Sequence, residues 1–106
     1  MDITIREEGN KRILEFGNRL TIEEISEIHA VIIRYMSDGM YNLLDFGDVT
    51  ECDATGVQVI LSLLKNQKPD ELKVSVGNIS ETISDTASKL GINLKKYFYS
   101  SRGENV

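Results

Sequence analysis

Cysteine, proline and histidine each occur once in this 106-residue chain. A single cysteine, Cys52, excludes an internal disulfide and suits a reducing compartment. Pro69 falls in the loop "NQKPDE", where no ladder N–H is needed. His29 lies among apolar residues of a helix pattern, without the acid, nucleophile or second ligand that catalysis or metal binding requires. It reads as a packing residue at the edge of the core. No run of about 18 apolar residues is present, so no membrane-spanning helix is expected. Basic clusters are also missing: the net charge is −5, and Lys11-Arg12 and Lys95-Lys96 are isolated pairs. Neither nucleic acid nor an anionic membrane is an expected partner. The opening "MDITIREEGN" carries acids where a secretion signal needs basic and then apolar residues, so a cytoplasmic location is expected.

What is present reads as one α/β domain over 1–106. Ile3-Thr4-Ile5 and Ile13 to Phe16 form two strands around a Gly9-Asn10 turn. Thr21 and Glu24 make a capping box, and Ile22, Ile25, Ile28, Ile32 and Met36 follow at helical spacing. That helix ends at Asp38-Gly39. "YNLLDFGD" is apolar without clean alternation, as expected of a central strand covered on both faces. Val57, Ile60, Leu61 and Leu64 lie on one face of a second helix. Leu72, Val74 and Val76 alternate as a strand. A third helix starts at Ser80, buries Ile83, Ala87 and Leu90, and stops at Gly91 in a left-handed cap, with Ile92 placed for the accompanying apolar contact. A last edge strand is possible over 94–99, and residues 100–106 read as frayed. The order ββαβαβα(β) implies a single mixed sheet of four to five strands with helices packed on it.

Catalytic chemistry does not assemble from these parts. Asp45-Phe46-Gly47 spells the magnesium-binding triplet of protein kinases, but the glycine-rich loop, strand lysine and catalytic loop that give it meaning are missing. Gly47, Gly56 and Gly77 make no phosphate loop. Cys52 has no second cysteine near it and reads as a small buried hydrophobe at a strand-to-helix turn. The acids at Glu7-Glu8, Glu23-Glu24 and Glu27 read as solvated faces and favourable helix starts. No nucleophile has a base beside it. The chain is therefore read as non-enzymatic, with no cofactor or metal.

The residue that stands out is Thr55, in "ECDATGVQVILSLLK". Asp53 reads as the cap of the second helix and Thr55 as a polar residue of its first turn. On motif chemistry alone that capping role outweighs any other. At about 100° per residue, however, Thr55, Gln58, Val59, Ser62 and Asn66 fall opposite the core stripe. A hydroxyl and an apolar Val59 on one outward face are compatible with a docking surface.

"NLLDFGDVTECDATGVQVILSLLK" resembles the signature of STAS domains, especially bacterial anti-sigma factor antagonists. Leu44-Asp45 matches their strand pair, and Asp53-Ala54-Thr55-Gly56 matches their Asp-Ser-Ser-Gly motif. "VGNISETISDTASKLGINLKKYF" is similar to the family's next strand, loop and helix. The resemblance implies the STAS fold and a partner-switching role in regulating transcription. An anti-sigma factor or serine/threonine switch kinase would bind the unmodified second-helix surface, phosphorylation at Thr55 would eject it, and a phosphatase would reset the switch. The docking residues so implied are Asp53, Ala54, Thr55, Gly56, Gln58, Val59 and Ser62. Ala54 replaces the family's first serine, leaving Thr55 as the acceptor, and threonine in place of the second serine also occurs in stressosome-type scaffold components. The tail "YFYSSRGENV" lacks the amphipathic pattern of the family's final helix. A second reading, an accessory subunit that steadies an ABC-transporter ATPase in lipid transport, uses the same surface. Those proteins tend to carry threonine where this chain has Ala54. Oligomeric state is left open.

Overall fold

In the computed structural model, which describes residues 2–35, 39–65 and 74–97, the Gly9-Asn10 signal closes a two-residue hairpin. It joins β1 (Asp2–Glu8) to β2 (Lys11–Leu20), with Glu8 opposite Lys11. Gly9 has φ +65°, the positive value that the first central position of a type II′ turn requires. The chain continues through α1 (Ile25–Tyr35), β3 (Tyr41–Cys52), α2 (Ala54–Lys65), β4 (Val74–Ile79) and α3 (Glu81–Lys89).

The four strands form one sheet in the order β1-β2-β3-β4. β1 is antiparallel to β2, while β2/β3 and β3/β4 are parallel. The expected mixed α/β architecture is thus present. The crossovers β2–α1–β3 and β3–α2–β4 step the same way across the sheet, so right-handed connections put α1 and α2 on one face. The core lies there. Leu14, Phe16, Leu44, Phe46, Val74 and Val76 of the sheet are buried against Ile28 and Ile32 of α1, Val57, Ile60 and Leu64 of α2, and Ile83 and Ala87 of α3. Phe16 and Phe46 stack with centroids 4.8 Å apart, close enough for an offset aromatic pair to add to area burial.

Several expectations are corrected. His29 is exposed rather than packed at the edge of the core, and Cys52 is half-buried rather than buried. β3 does alternate: Asn42, Leu44 and Phe46 are buried, whereas Tyr41, Leu43 and Asp45 are only half-buried, because the helices cover one face of the sheet. Ile22 is not on the buried stripe. Residues 22–24 form a turn, the helix begins at Ile25, and Ile22 is left 68% exposed. Leu90 is likewise exposed, since it is the C-cap of α3 rather than part of its inner face. Residues 94–97 are helical, not an edge strand, and Leu94 is buried in the core.

Met36, Asp38, the 66–71 loop, Leu72, residues 98–99 and the tail 100–106 lie outside the described residues. The stop of α3 follows its sequence signal. Gly91 has φ +79° and donates to Ser88 O at 3.0 Å, while Ile92 donates to Ala87 O at 2.9 Å. These are the two bonds of a Schellman cap.

Arg12 is buried at the end of the sheet where β3 begins. It donates to Asn42 Oδ1 at 3.0 Å and lies 4.5 Å from the centre of the Tyr35 ring. Its charge is therefore engaged inside the fold and does not form a basic surface.

Candidate functional site

β2 and β3 run parallel, so their C-terminal ends and the chain segments leading into α1 and α2 meet at one end of the sheet. Register shifts at Glu15/Gly17 and Asn18/Arg19 bend the strands just before that end. Asn18, at φ +70°, is the one non-glycine residue with positive φ among the described residues. Its carbonyl accepts from the Thr50 hydroxyl at 3.3 Å.

Asp53 organises the junction. Its Oδ1 accepts from Gly56 N–H at 2.9 Å, the bond expected of an N-cap to the third helical residue. Its Oδ2 accepts from Ile22 N–H at 3.0 Å, on a different segment of the chain. The Asp53 N–H in turn reaches Leu20 O at 3.4 Å. One aspartate therefore caps α2 and ties the start of the α1 turn to it. Burial pushes the Asp53 pKa up, but hydrogen bonds from the Gly56, Ile22 and Thr55 amides outweigh it and hold the carboxyl below its usual value. The group is ionised at neutral pH.

Gly56 is required by proximity. A Cβ there would lie 2.1 Å from Leu20 O and 3.0 Å from Cys52 Sγ. No backbone atom tolerates the first of these contacts, so only glycine lets α2 start this close to the end of β2.

The Thr21/Glu24 pair forms in a modified version. Glu24 Oε1 accepts from Thr21 N–H at 3.0 Å, as a capping box requires. The Thr21 hydroxyl donates to the same oxygen at 2.7 Å instead of accepting from the Glu24 amide, whose N–H goes to Thr21 O at 2.9 Å. The side-chain bond from Thr21 is the leading cause that lowers the Glu24 pKa. Around this turn Arg19 pairs with Glu23 at 3.6 Å, Glu24 at 3.9 Å and Glu51 at 3.5 Å.

The sequence-derived site residues fall as follows. Ala54 and Thr55 are the first and second residues of α2; Ala54 is exposed and Thr55 half-buried. Gln58 and Ser62 are exposed on the helix beyond them, and Val59 is half-buried. Gly56 alone of the seven is buried, so it positions the helix and presents no contact surface. The Thr55 hydroxyl makes no hydrogen bond among the described residues, and its residue is half-buried. Ile22 and the Arg19 network were missed. The apolar periodicity had assigned Ile22 to the core, and no sequence pattern relates Asp53 to a backbone amide 31 positions earlier.

Cys52 is half-buried beside this junction. Burial, with the Asp53 charge adding to it, pushes its thiol up to about 11, so it is not a thiolate at neutral pH. Among the described residues no group of three or more His, Cys, Asp or Glu is arranged to hold a metal ion, and no helix is long and apolar enough to cross a membrane. A polar cleft of about 710 Å³ runs along α3, lined by Asn78, Glu81, Ser84 and Lys95 among others, but Thr55 does not line it.

No curated protein sequence matches the chain. The family model of the STAS domain matches residues 2–105. With a mixed four-strand sheet, helices packed on one face, and the Asp53–Gly56 motif at the start of α2, the chain belongs to the STAS domain family.

Proposed function

We propose that this STAS domain is an anti-sigma factor antagonist-type regulator, which docks an ATP-dependent switch kinase on the first turns of α2 and is released by phosphorylation of Thr55. The observation that carries this reading is the Thr55 hydroxyl: it stands at the second position of a rigidly anchored helix, without a hydrogen-bond partner among the described residues, beside exposed Ala54, Gln58 and Ser62. The kinase transfers the γ-phosphoryl of ATP to Thr55 Oγ1; the hydroxyl proton leaves to a base on the kinase, and ADP departs.

The product carries about −1.5 to −2 charges at neutral pH. A helix N-terminus ordinarily welcomes such a group through its free amides. Here Asp53 already holds the Gly56 and Ile22 amides and is ionised. The phosphate therefore gains little from the helix start and is repelled by Asp53. It must be desolvated for the interface to re-form, and the partner is ejected without refolding of the domain. In this scheme the chain is a substrate and a ligand, not a catalyst, and a phosphatase restores it.

The reading is tested by calorimetry with a purified serine/threonine switch kinase encoded beside the chain's gene. Tight binding of the unmodified protein and at least tenfold weaker binding of the Thr55-phosphorylated form support it. Equal binding of both forms contradicts it. Stable binding to an ABC-transporter ATPase, without phosphoryl transfer, favours the transporter-subunit reading instead.

A further inference from the structure

Ile22 is the most exposed large hydrophobic residue among those described, at 68%. It is nevertheless not on a loose segment. Its amide is bonded to Asp53, Leu20 just before it accepts from Asp53 N–H, and Thr21 next to it is locked to Glu24. A β-branched apolar side chain is thus held in water by backbone contacts on both sides. Isolated exposed apolar residues are common, but this one is fixed against the carboxylate that caps the Thr55 helix.

Its charge setting is equally specific. Glu23, Glu24, Glu51 and Asp53 surround the junction, and Arg19 is the cation paired among them. The Glu23 and Glu51 side chains are more than half exposed. An apolar knob with an acidic rim complements an apolar socket rimmed by lysines and arginines.

We propose that Ile22 is the apolar anchor of the docking surface, seated in such a socket on the partner protein while Glu23 and Glu51 meet its basic rim. This rests on the reading of α2 as the kinase-docking face and extends that face across to the α1 turn. Preorganisation gives the anchor its value, because little side-chain or loop entropy is lost when it is buried.

A comparison residue exists in the same protein. Ile33 is 57% exposed on α1 itself, eleven positions further along the chain and eight residues into the helix that begins at Ile25. The test uses the full chain and the purified switch kinase encoded beside it, with kinetics read by surface plasmon resonance at low and high salt. Ile22→Ser and Ile22→Thr are each expected to raise Kd about tenfold or more, mainly through faster dissociation. Ile33→Ser leaves Kd unchanged. The double variant Glu23→Lys/Glu51→Lys slows association several-fold and flattens its salt dependence. All variants should melt within a few degrees of the wild type, since each changed side chain is exposed.

Wild-type affinity in both Ile22 variants, with Thr55 still phosphorylated normally, overturns the anchor and leaves the switch standing. An equal loss in Ile33→Ser overturns the assignment of the anchor to Ile22, and faster association of the Glu→Lys double variant overturns the basic rim. If the wild type neither binds nor accepts phosphate, the switch reading fails and the anchor falls with it.

Discussion

α2 and α3 begin alike and are used differently. Each has an oxygen-bearing N-cap, Asp53 or Ser80, and a threonine at its second position, Thr55 or Thr82. Ser80 serves its own helix: its hydroxyl accepts from Ile83 N–H at 3.2 Å. Asp53 does the same for Gly56 and also holds Ile22 from another segment. The third residue of α3 is an apolar Ile83 driven into the core, whereas the third residue of α2 is a glycine that admits Leu20 O. Both caps reach a neighbouring strand through their own amides, Ser80 N–H donating to Phe46 O at 3.1 Å and Asp53 N–H to Leu20 O at 3.4 Å, but only the Asp53 side chain also joins a second crossover. The difference teaches that the same capping chemistry becomes a junction when the cap has a second oxygen and its neighbour has no side chain.

Substitutions that erase this difference should have graded effects. The largest is expected for Gly56→Ala, whose new methyl meets a backbone carbonyl that cannot rotate away. Overpacking of this kind costs about 1–3 kcal/mol, and urea unfolding should show it as a lower midpoint at unchanged slope. Asp53→Ala comes next: losing the cap and the Ile22 bond together should cost about 1–2 kcal/mol. Ser80→Ala, which loses only a local cap, should cost about 1 kcal/mol or less in the same measurement. If the two cap variants are equally destabilised, the bond to Ile22 adds nothing.

A pH series sharpens the same comparison. The folded-state pKa of Asp53 lies below its usual 3.8, so its ionisation stabilises the fold above that value and the contribution is lost as pH falls through the lower, folded-state pKa. The stability gap between wild type and Asp53→Asn should be constant near neutrality and close in acid below about pH 4. Ser80→Ala should show no such closure. The smallest effect concerns Cys52. With its thiol near 11, alkylation at pH 7 should be much slower than for a free cysteine, and the rate should rise steeply above pH 9.

Much of this was legible in the chain. The Gly9-Asn10 turn, the Ser80 cap and the Gly91 stop are local devices whose signals lie within a few residues of their effect. Thr55 was legible for the same reason, as a residue of a capped first turn. The Asp53–Ile22 bond was not, since it spans 31 positions and involves a backbone amide that every residue but proline possesses. Ile22 misled because its spacing extends a true apolar stripe by one turn, and the turn at residues 22–24 breaks the helical phase. The 94–99 strand failed for want of length: a short apolar run cannot distinguish strand from helix, and residues 94–97 are helical.

Thr55 and Thr82 provide the most direct test, because both stand at the second position of a capped helix. Wild type, Thr55→Ala and Thr82→Ala are incubated with ATP and the neighbouring switch kinase, and their intact masses are measured. The account predicts a gain of one phosphoryl group in the wild type and in Thr82→Ala, and none in Thr55→Ala. A gain that persists in Thr55→Ala and disappears in Thr82→Ala would contradict it.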